Sequence, residues 1–120
     1  MPQTPVILYR RGNASGPRID NVRNPNPPDP LHPPDLAIIS QGGVLSVIAR
    51  SGGVSCFDTS PCPGNGTEWY LPKDTGYPAG LYLRGDPNEP GHYTWEPDTD
   101  MTLDAYKALL RQVGLQFLRK

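Results

Sequence analysis

Proline and glycine recur along most of the chain and limit how long any regular element can be. The 120 residues include 16 prolines and 13 glycines, about a quarter of the total. Each proline fixes its own backbone angle and restricts the residue before it, so the loops should be stiff and extended. Apolar runs at 36–49, 68–72 and 101–118 argue against disorder. We therefore expect one domain, residues 1–120, built from short strands and rigid loops.

The order of the apolar runs predicts an α+β fold. Runs typical of strands occur at 6–9, 36–40, 44–50, 54–57, 68–72, 80–84 and 92–96. They follow one another without helices between them, which favours antiparallel pairing. Gly42 and Gly43 predict a hairpin turn, although a helix over 36–41 stays open. Thr102 is the expected N-cap of a C-terminal helix, and the proline-rich segment 13–35 should be a surface excursion.

The charge and the missing motifs exclude several classes of function. A net charge of −1 with mixed signs predicts no general nucleic-acid binding and no attraction to anionic membranes. No apolar run is long enough for a membrane span, so we expect a soluble protein, either cytoplasmic or exported without a cleaved leader. With His32 and His92 as the only histidines, we predict no metal site. Cys56 and Cys62 are expected to be small buried thiols, or a local bridge in an oxidising compartment.

The stretch 52–58 has the composition of a binding-site floor. Two glycines precede a short strand in which Val54 and Cys56 should face one way and Ser55 and Phe57 the other. Arg10 follows the first strand, where a guanidinium can hold a phosphate through two parallel hydrogen bonds. A strand serine such as Ser55 can orient a ribose hydroxyl. These residue types together predict a dinucleotide site.

Aromatic and acidic side chains could complete such a site. Rings at Phe57, Trp69, Tyr93 and Trp95 could stack a planar heterocycle, or could equally be core. Glu96 could stabilise positive charge as a glycosidic bond breaks, as carboxylates do in glycoside hydrolysis.

An ordered set of short motifs resembles a known toxin family. They are Tyr9-Arg10, the stretch 52–58, Trp69-Tyr70-Leu71-Pro72, Pro78-x-x-Leu81, and His92-Tyr93-Thr94 followed by Pro97 and Met101. Together they resemble the type VI secretion effector toxins with an ADP-ribosyltransferase-like fold, whose relatives also occur in fungi. The resemblance spans about residues 7–118.

The resemblance implies a split antiparallel sheet around a cleft for NAD, which would be the substrate of a glycosyl transfer, and a cytotoxic action inside a target cell. In the arginine-serine-glutamate type of these enzymes, Arg10 and Ser55 match the first two positions. Glu96 or His92 would assist bond cleavage. The implied cofactor-binding residues are Arg10, Ser55, Tyr9, Phe57 and Trp69. A macromolecular target and a cognate immunity protein are implied as partners.

Two other functions remain open at this point. A toxin or interaction module could keep the fold and bind a macromolecule without turnover, and the proline-rich segment 23–34 favours that alternative as a possible polyproline ligand. A neutralising partner, or a phosphotransferase relative acting on RNA, is the third possibility, and the lack of a basic patch argues against it.

Overall fold

The computed structural model describes residues 2–23 and 35–120, and it has the predicted α+β architecture. In chain order the elements are β1 (Leu8–Gly12), β2 (Ile38–Gln41), β3 (Val44–Val47), β4 (Val54–Phe57), β5 (Thr67–Leu71), β6 (Leu81–Gly85), β7 (His92–Pro97), β8 (Met101–Thr102), α1 (Leu103–Gly114) and β9 (Leu118–Arg119). Each strand is six residues or shorter, as the spacing of proline and glycine predicts.

The strands form two antiparallel sheets. One has the order β6-β7-β4-β1-β5-β9 and the other the order β2-β3-β8. The antiparallel pairing predicted from the sequence is confirmed. The two-residue strands β8 and β9 were not predicted. In β9, Arg119 pairs with Trp69 of β5. A two-residue strand forms only because a distant strand edge accepts it, so local sequence carries little signal for it.

The hairpin between β2 and β3 is confirmed in detail. Gln41 pairs with Val44, which leaves Gly42 and Gly43 as a two-residue turn. Both glycines have positive φ, 58° and 81°. That conformation matches the twist of the flanking strands and is readily adopted by glycine.

The helix α1 closes the core, and its N-terminus is at the predicted cap. Thr102 accepts a hydrogen bond from the Ala105 backbone N–H at 3.1 Å through its hydroxyl. The helix buries Tyr106, Leu110 and Val113 completely. They pack in one cluster with sheet residues that include Leu8, Val54, Leu71 and Trp95. This cluster lies on one face of the larger sheet.

The segment predicted as a surface excursion, 13–35, is partly a core element. Ile19 and Val22 are buried at 2% and 8% exposure. Two isolated apolar side chains give no periodicity, so the sequence could not reveal their burial. Most of the proline run, together with His32, lies at 24–34, outside the described residues. Within 2–23 and 35–120, no helix is long and apolar enough to cross a membrane.

Candidate active site

The alternation of strand residues sorts the predicted site residues onto two faces of the larger sheet. Tyr9 pairs with Phe57, and Phe57 pairs with His92, so these three side chains share a face. Since side chains alternate along a strand, Ser55, Thr94 and Glu96 lie on that face as well. We call this set, Tyr9, Ser55, Phe57, His92, Thr94 and Glu96, the Ser55 face. Val54 and Cys56 point the other way, into the core, as predicted.

Arg10 does not end its strand as expected. It lies in the middle of β1, opposite Trp69 of β5, and points away from the Ser55 face. Its guanidinium donates to three backbone carbonyl oxygens, with Nε 3.0 Å from Pro17, Nη1 2.8 Å from Ser55 and Nη2 3.2 Å from Arg18. An arginine tolerates a mid-strand position when its stem packs and its head finds such acceptors.

The Arg10 side chain reaches only the backbone of Ser55, where β1 and β4 diverge, and the Ser55 hydroxyl lies on the other face of the sheet. These strands pair at Tyr9 and Phe57. The carbonyl of Ser55 is then hydrogen-bonded to the Arg10 side chain. A cavity of about 360 Å³ opens there, lined by Arg10, Asn21, Arg23, Asp35, Val54 and Ser55. Small-molecule pockets occupy roughly 300–1,000 Å³, so this cavity could hold part of a dinucleotide.

The hydroxyl of Ser55 faces His92. Its Oγ lies 2.8 Å from His92 Nε2, and His92 Nδ1 lies 3.2 Å from Asp86 Oδ2 and 3.2 Å from Glu89 Oε2. Neither carboxylate was predicted from the sequence as part of the site. Their spacing, Asp-x-x-Glu-x-x-His in a proline-containing turn, was the available signal, because such a turn returns its ends to one place.

Asp86, Glu89 and His92 have side chains of the types that ligate cations. One ligand atom from each of Asp86, Glu89 and His92 lies within 4.8 Å of the others. Hydrogen bonding to the Asn88 backbone N–H, and then to His92, holds the pKa of Asp86 below its usual value. A proton on Nδ1 satisfies the two carboxylates without a metal, and the absence of a metal site stays a prediction.

The rings of Phe57 and His92 pack against each other beside Ser55. Their rings are stacked, with centroids 5.1 Å apart and an interplanar angle of 28°. Tyr9 lies beside Phe57 and contacts Tyr70, with ring centroids 6.4 Å apart. The Phe57 and His92 pair is the part of the face best suited to stack against a planar heterocycle.

Glu96 lies on the same face but is 1% exposed. Its Oε2 accepts from the Thr94 hydroxyl at 2.7 Å and lies 3.9 Å from Arg84 Nη1. Its Oε1 is buried and has no hydrogen-bond partner among the described residues. Buried polar groups are nearly always satisfied, and an exception calls for a functional or structural explanation.

The remaining predicted residues have structural contacts. Trp69 Nε1 donates to the Asn13 carbonyl at 2.9 Å, and its ring lies on the opposite side of the sheet from Ser55. Trp95 is fully buried in the core. Cys56 and Cys62 are free and buried, which confirms them as buried thiols, and burial raises the pKa of Cys56 to about 11.

Comparison with known proteins identifies the family. A family model described as Tse2 ADP-ribosyltransferase toxin matches residues 8–120, a span that includes every predicted site residue. A search of curated proteins found no match. The resemblance to effector toxins of this fold is confirmed, and relatives in fungi stay a prediction. The chain belongs to the Tse2 ADP-ribosyltransferase toxin family, and is therefore a cytotoxic effector of the ADP-ribosyltransferase type.

Proposed function

We propose that the chain binds NAD across the Ser55 face and the adjoining cavity, and transfers its ADP-ribose to a macromolecule in a target cell. The observation that carries the proposal is the position of Ser55. Its carbonyl is held by Arg10 at the mouth of the cavity, while its hydroxyl is held by His92. Ser55 thus lies between the two places, with its backbone at the cavity and its hydroxyl on the Ser55 face.

Arg10 would bind the pyrophosphate. A guanidinium has five N–H donors, and three contacts to carbonyl oxygens leave donors available for phosphate oxygens. The three existing bonds also fix the direction of the guanidinium, so little side-chain freedom is lost on binding. Arg23 lines the same cavity and is ion-paired there with Asp35, with Nη2 3.2 Å from Oδ1.

Ser55 would orient the ribose next to the nicotinamide, and the stacked Phe57 and His92 rings would support the nicotinamide ring itself. Tyr9 borders this surface. Trp69 would act indirectly, by holding the Asn13 loop against β5.

Glu96 or His92 would assist cleavage of the glycosidic bond. As nicotinamide leaves, positive charge develops on the ribose, and a nearby carboxylate stabilises it. Glu96 is shielded from water and its Oε1 has no partner in the described parts of the chain, so its charge would act in a low-dielectric environment. Tyr82 and Arg84 of β6 pair opposite Glu96 and Thr94, and their side chains would have to move for a ligand to reach it.

The proposal extends to partners and location. The chain acts on an unidentified target inside another cell, and the producing cell carries a cognate immunity protein. Residues 1–120 form one domain, in which Asn21, Arg23 and Asp35 line the cavity. The non-enzymatic alternative is not favoured by the family match.

The test is transfer of labelled NAD to proteins of a cell lysate. We expect Ser55→Ala and Arg10→Ala each to lower labelling by at least about 100-fold, the scale of a lost positioning or electrostatic contact. Ser40→Ala, which changes an exposed serine on β2, is the matched control. Undiminished labelling with both variants would remove the assignment. If NAD fails to shift the melting temperature while expression still kills cells, the non-enzymatic alternative is the correct one.

A further inference from the structure

We propose that Ser55 is an activated nucleophile, and that the chain attaches ADP-ribose to its own Ser55. This inference rests on the proposed NAD site and adds a covalent step to it. In the proposed function, Ser55 only orients a ribose hydroxyl. In this inference, the Ser55 oxygen forms a covalent bond to the ribose.

The geometry around Ser55 matches that of activated nucleophiles. Such sites place a hydroxyl within about 2.6–3.2 Å of a base, and a third group orients that base. Ser55 Oγ lies 2.8 Å from His92 Nε2, and the carboxylates of Asp86 and Glu89 each lie 3.2 Å from His92 Nδ1. Arg10, by comparison, contacts only the carbonyl of Ser55 and leaves the hydroxyl to His92.

In the neutral form of His92, the two carboxylates fix the direction of its hydrogen bond with Ser55. An ionised carboxylate only accepts, so the nitrogen that faces both of them, Nδ1, must carry a proton. In the neutral ring Nε2 then has the lone pair, and Ser55 is the donor. Its oxygen keeps its own lone pairs for an electrophile. The carboxylates also stabilise the imidazolium that forms when His92 takes the proton.

The base is held in place before any ligand arrives. The Asp86 N–H donates to the His92 carbonyl at 2.9 Å, and the His92 N–H donates to the Glu89 carbonyl at 3.1 Å. The imidazole also stacks on Phe57. His92 is 16% exposed at its side chain, so water has limited access to it. A base with a fixed orientation loses little freedom in the reaction.

The chemical step balances without any further reactant. Ser55 Oγ bonds to the anomeric carbon of the nicotinamide ribose, while the bond from that carbon to the nicotinamide nitrogen breaks. The bonding electron pair leaves with nicotinamide, which becomes neutral. The hydroxyl proton moves to His92 Nε2 and from there to solvent. The product is an O-glycoside of Ser55, which removes the hydroxyl from the site and limits the activity of the modified chain.

The experiment incubates the full chain with NAD alone and maps the modified residue by peptide mass spectrometry. We expect one ADP-ribose on Ser55, stable to neutral hydroxylamine, which cleaves the esters formed on aspartate or glutamate. Ser55→Ala should abolish this product, and Ser40→Ala should not change it.

The two carboxylates provide a test of the positioning role. Either Asp86→Asn or Glu89→Gln alone should lower the rate about tenfold or less, because the other carboxylate still faces Nδ1. The double variant should lower it at least about 100-fold, the usual range for a general base. The NAD concentration giving half the maximal rate should change little, since neither carboxylate contacts NAD. A merely structural role would instead alter NAD binding and melting temperature together.

The outcomes separate this inference from the proposed function. If lysate proteins are labelled but Ser55 is not, or if another residue is modified, the self-modification is refuted and the transferase function stands. An unchanged rate in the double variant also refutes it. If neither the chain nor lysate proteins are labelled, and NAD does not shift the melting temperature, both proposals are wrong.

Discussion

Replacing Glu96 by glutamine should raise stability and lower activity, a combination expected only of a site residue. The Glu96 side chain is 1% exposed, and its Oε1 has no partner within the described ranges. Leaving a buried acceptor unsatisfied costs about 1–3 kcal/mol, and more when it is charged. Glutamine removes the charge and can still accept from the Thr94 hydroxyl. The attraction lost at Arg84 is at most about 1 kcal/mol, because that side chain is half exposed.

The expected gain for Glu96→Gln is about 1 kcal/mol, or roughly 3–6 °C in melting temperature for a chain of this length. Transfer of labelled ADP-ribose should fall about 100- to 1,000-fold, as when an electrostatic contact to the transition state is removed. Scanning calorimetry and the labelling assay measure the two effects. Glu68→Gln is the matched control, because both carboxylate oxygens of Glu68 are bonded, to the Ser60 hydroxyl and the Cys62 N–H. Glu68→Gln should lower the melting temperature and leave transfer unchanged.

A role of Glu96 in the site is refuted if Glu96→Gln behaves like Glu68→Gln, with a lower melting temperature and unchanged transfer. Glu96 would then be a structural group, and its unsatisfied oxygen would be a tolerated cost of the fold. His92 would be left as the residue assisting cleavage.

Two further predictions concern the framework. Gly53→Ala should lower the free energy of unfolding by about 3 kcal/mol, the upper end for overpacking, because its Cβ would lie 1.9 Å from the Trp95 carbonyl oxygen. Gly16→Ala is the control, since a Cβ there meets open space, and it should be near neutral in the same urea titration. Equal effects of the two substitutions would contradict this prediction. Burial raises the pKa of Glu68, but hydrogen bonds from Ser60, Cys62 and Lys120 outweigh it and lower the pKa to about 2. Because the folded pKa is below the unfolded one, this stabilisation is present above about pH 4.5 and is lost as the pH falls towards 2. The gap in melting temperature between wild type and Glu68→Gln should therefore close over that interval, and a constant gap would refute it.

The sequence predicted the elements whose signals are local. Alternation in 54–57 assigned the correct faces, the pair Gly42-Gly43 located the hairpin, and Thr102 marked the start of the helix. These features depend on residues within a few positions of one another, so the pattern alone determines them. The burial of Ile19 and the pairing of Arg119 depend on surfaces supplied by distant parts of the chain, and nothing in their neighbourhood encodes that.

The types of residue in the candidate site could be predicted from the sequence, but the contacts between them could not. Arg10 was selected for its charge, yet its hydrogen bonds to Pro17 and Arg18 depend on where the loop after β1 returns, and its hydrogen bond to Ser55 depends on the position of β4. Asp86 was missed because its relation to Ser55 runs through a third residue, His92, on another strand. A sequence motif records neighbours along the chain, whereas this contact is set by the register between β4 and β7.

This arrangement also determines how loss of activity at Arg10 must be interpreted. The Arg10 guanidinium is hydrogen-bonded to the backbone carbonyl of Ser55. Removing the guanidinium therefore removes this bond at the point where β1 and β4 diverge. An inactive Arg10→Ala protein could therefore have lost a phosphate contact or the position of β4. Ser55→Ala leaves the carbonyl and its bond to Arg10 in place and removes only the hydroxyl. The serine variant is thus the cleaner measure of chemistry at this site, and the arginine variant measures chemistry and strand geometry together.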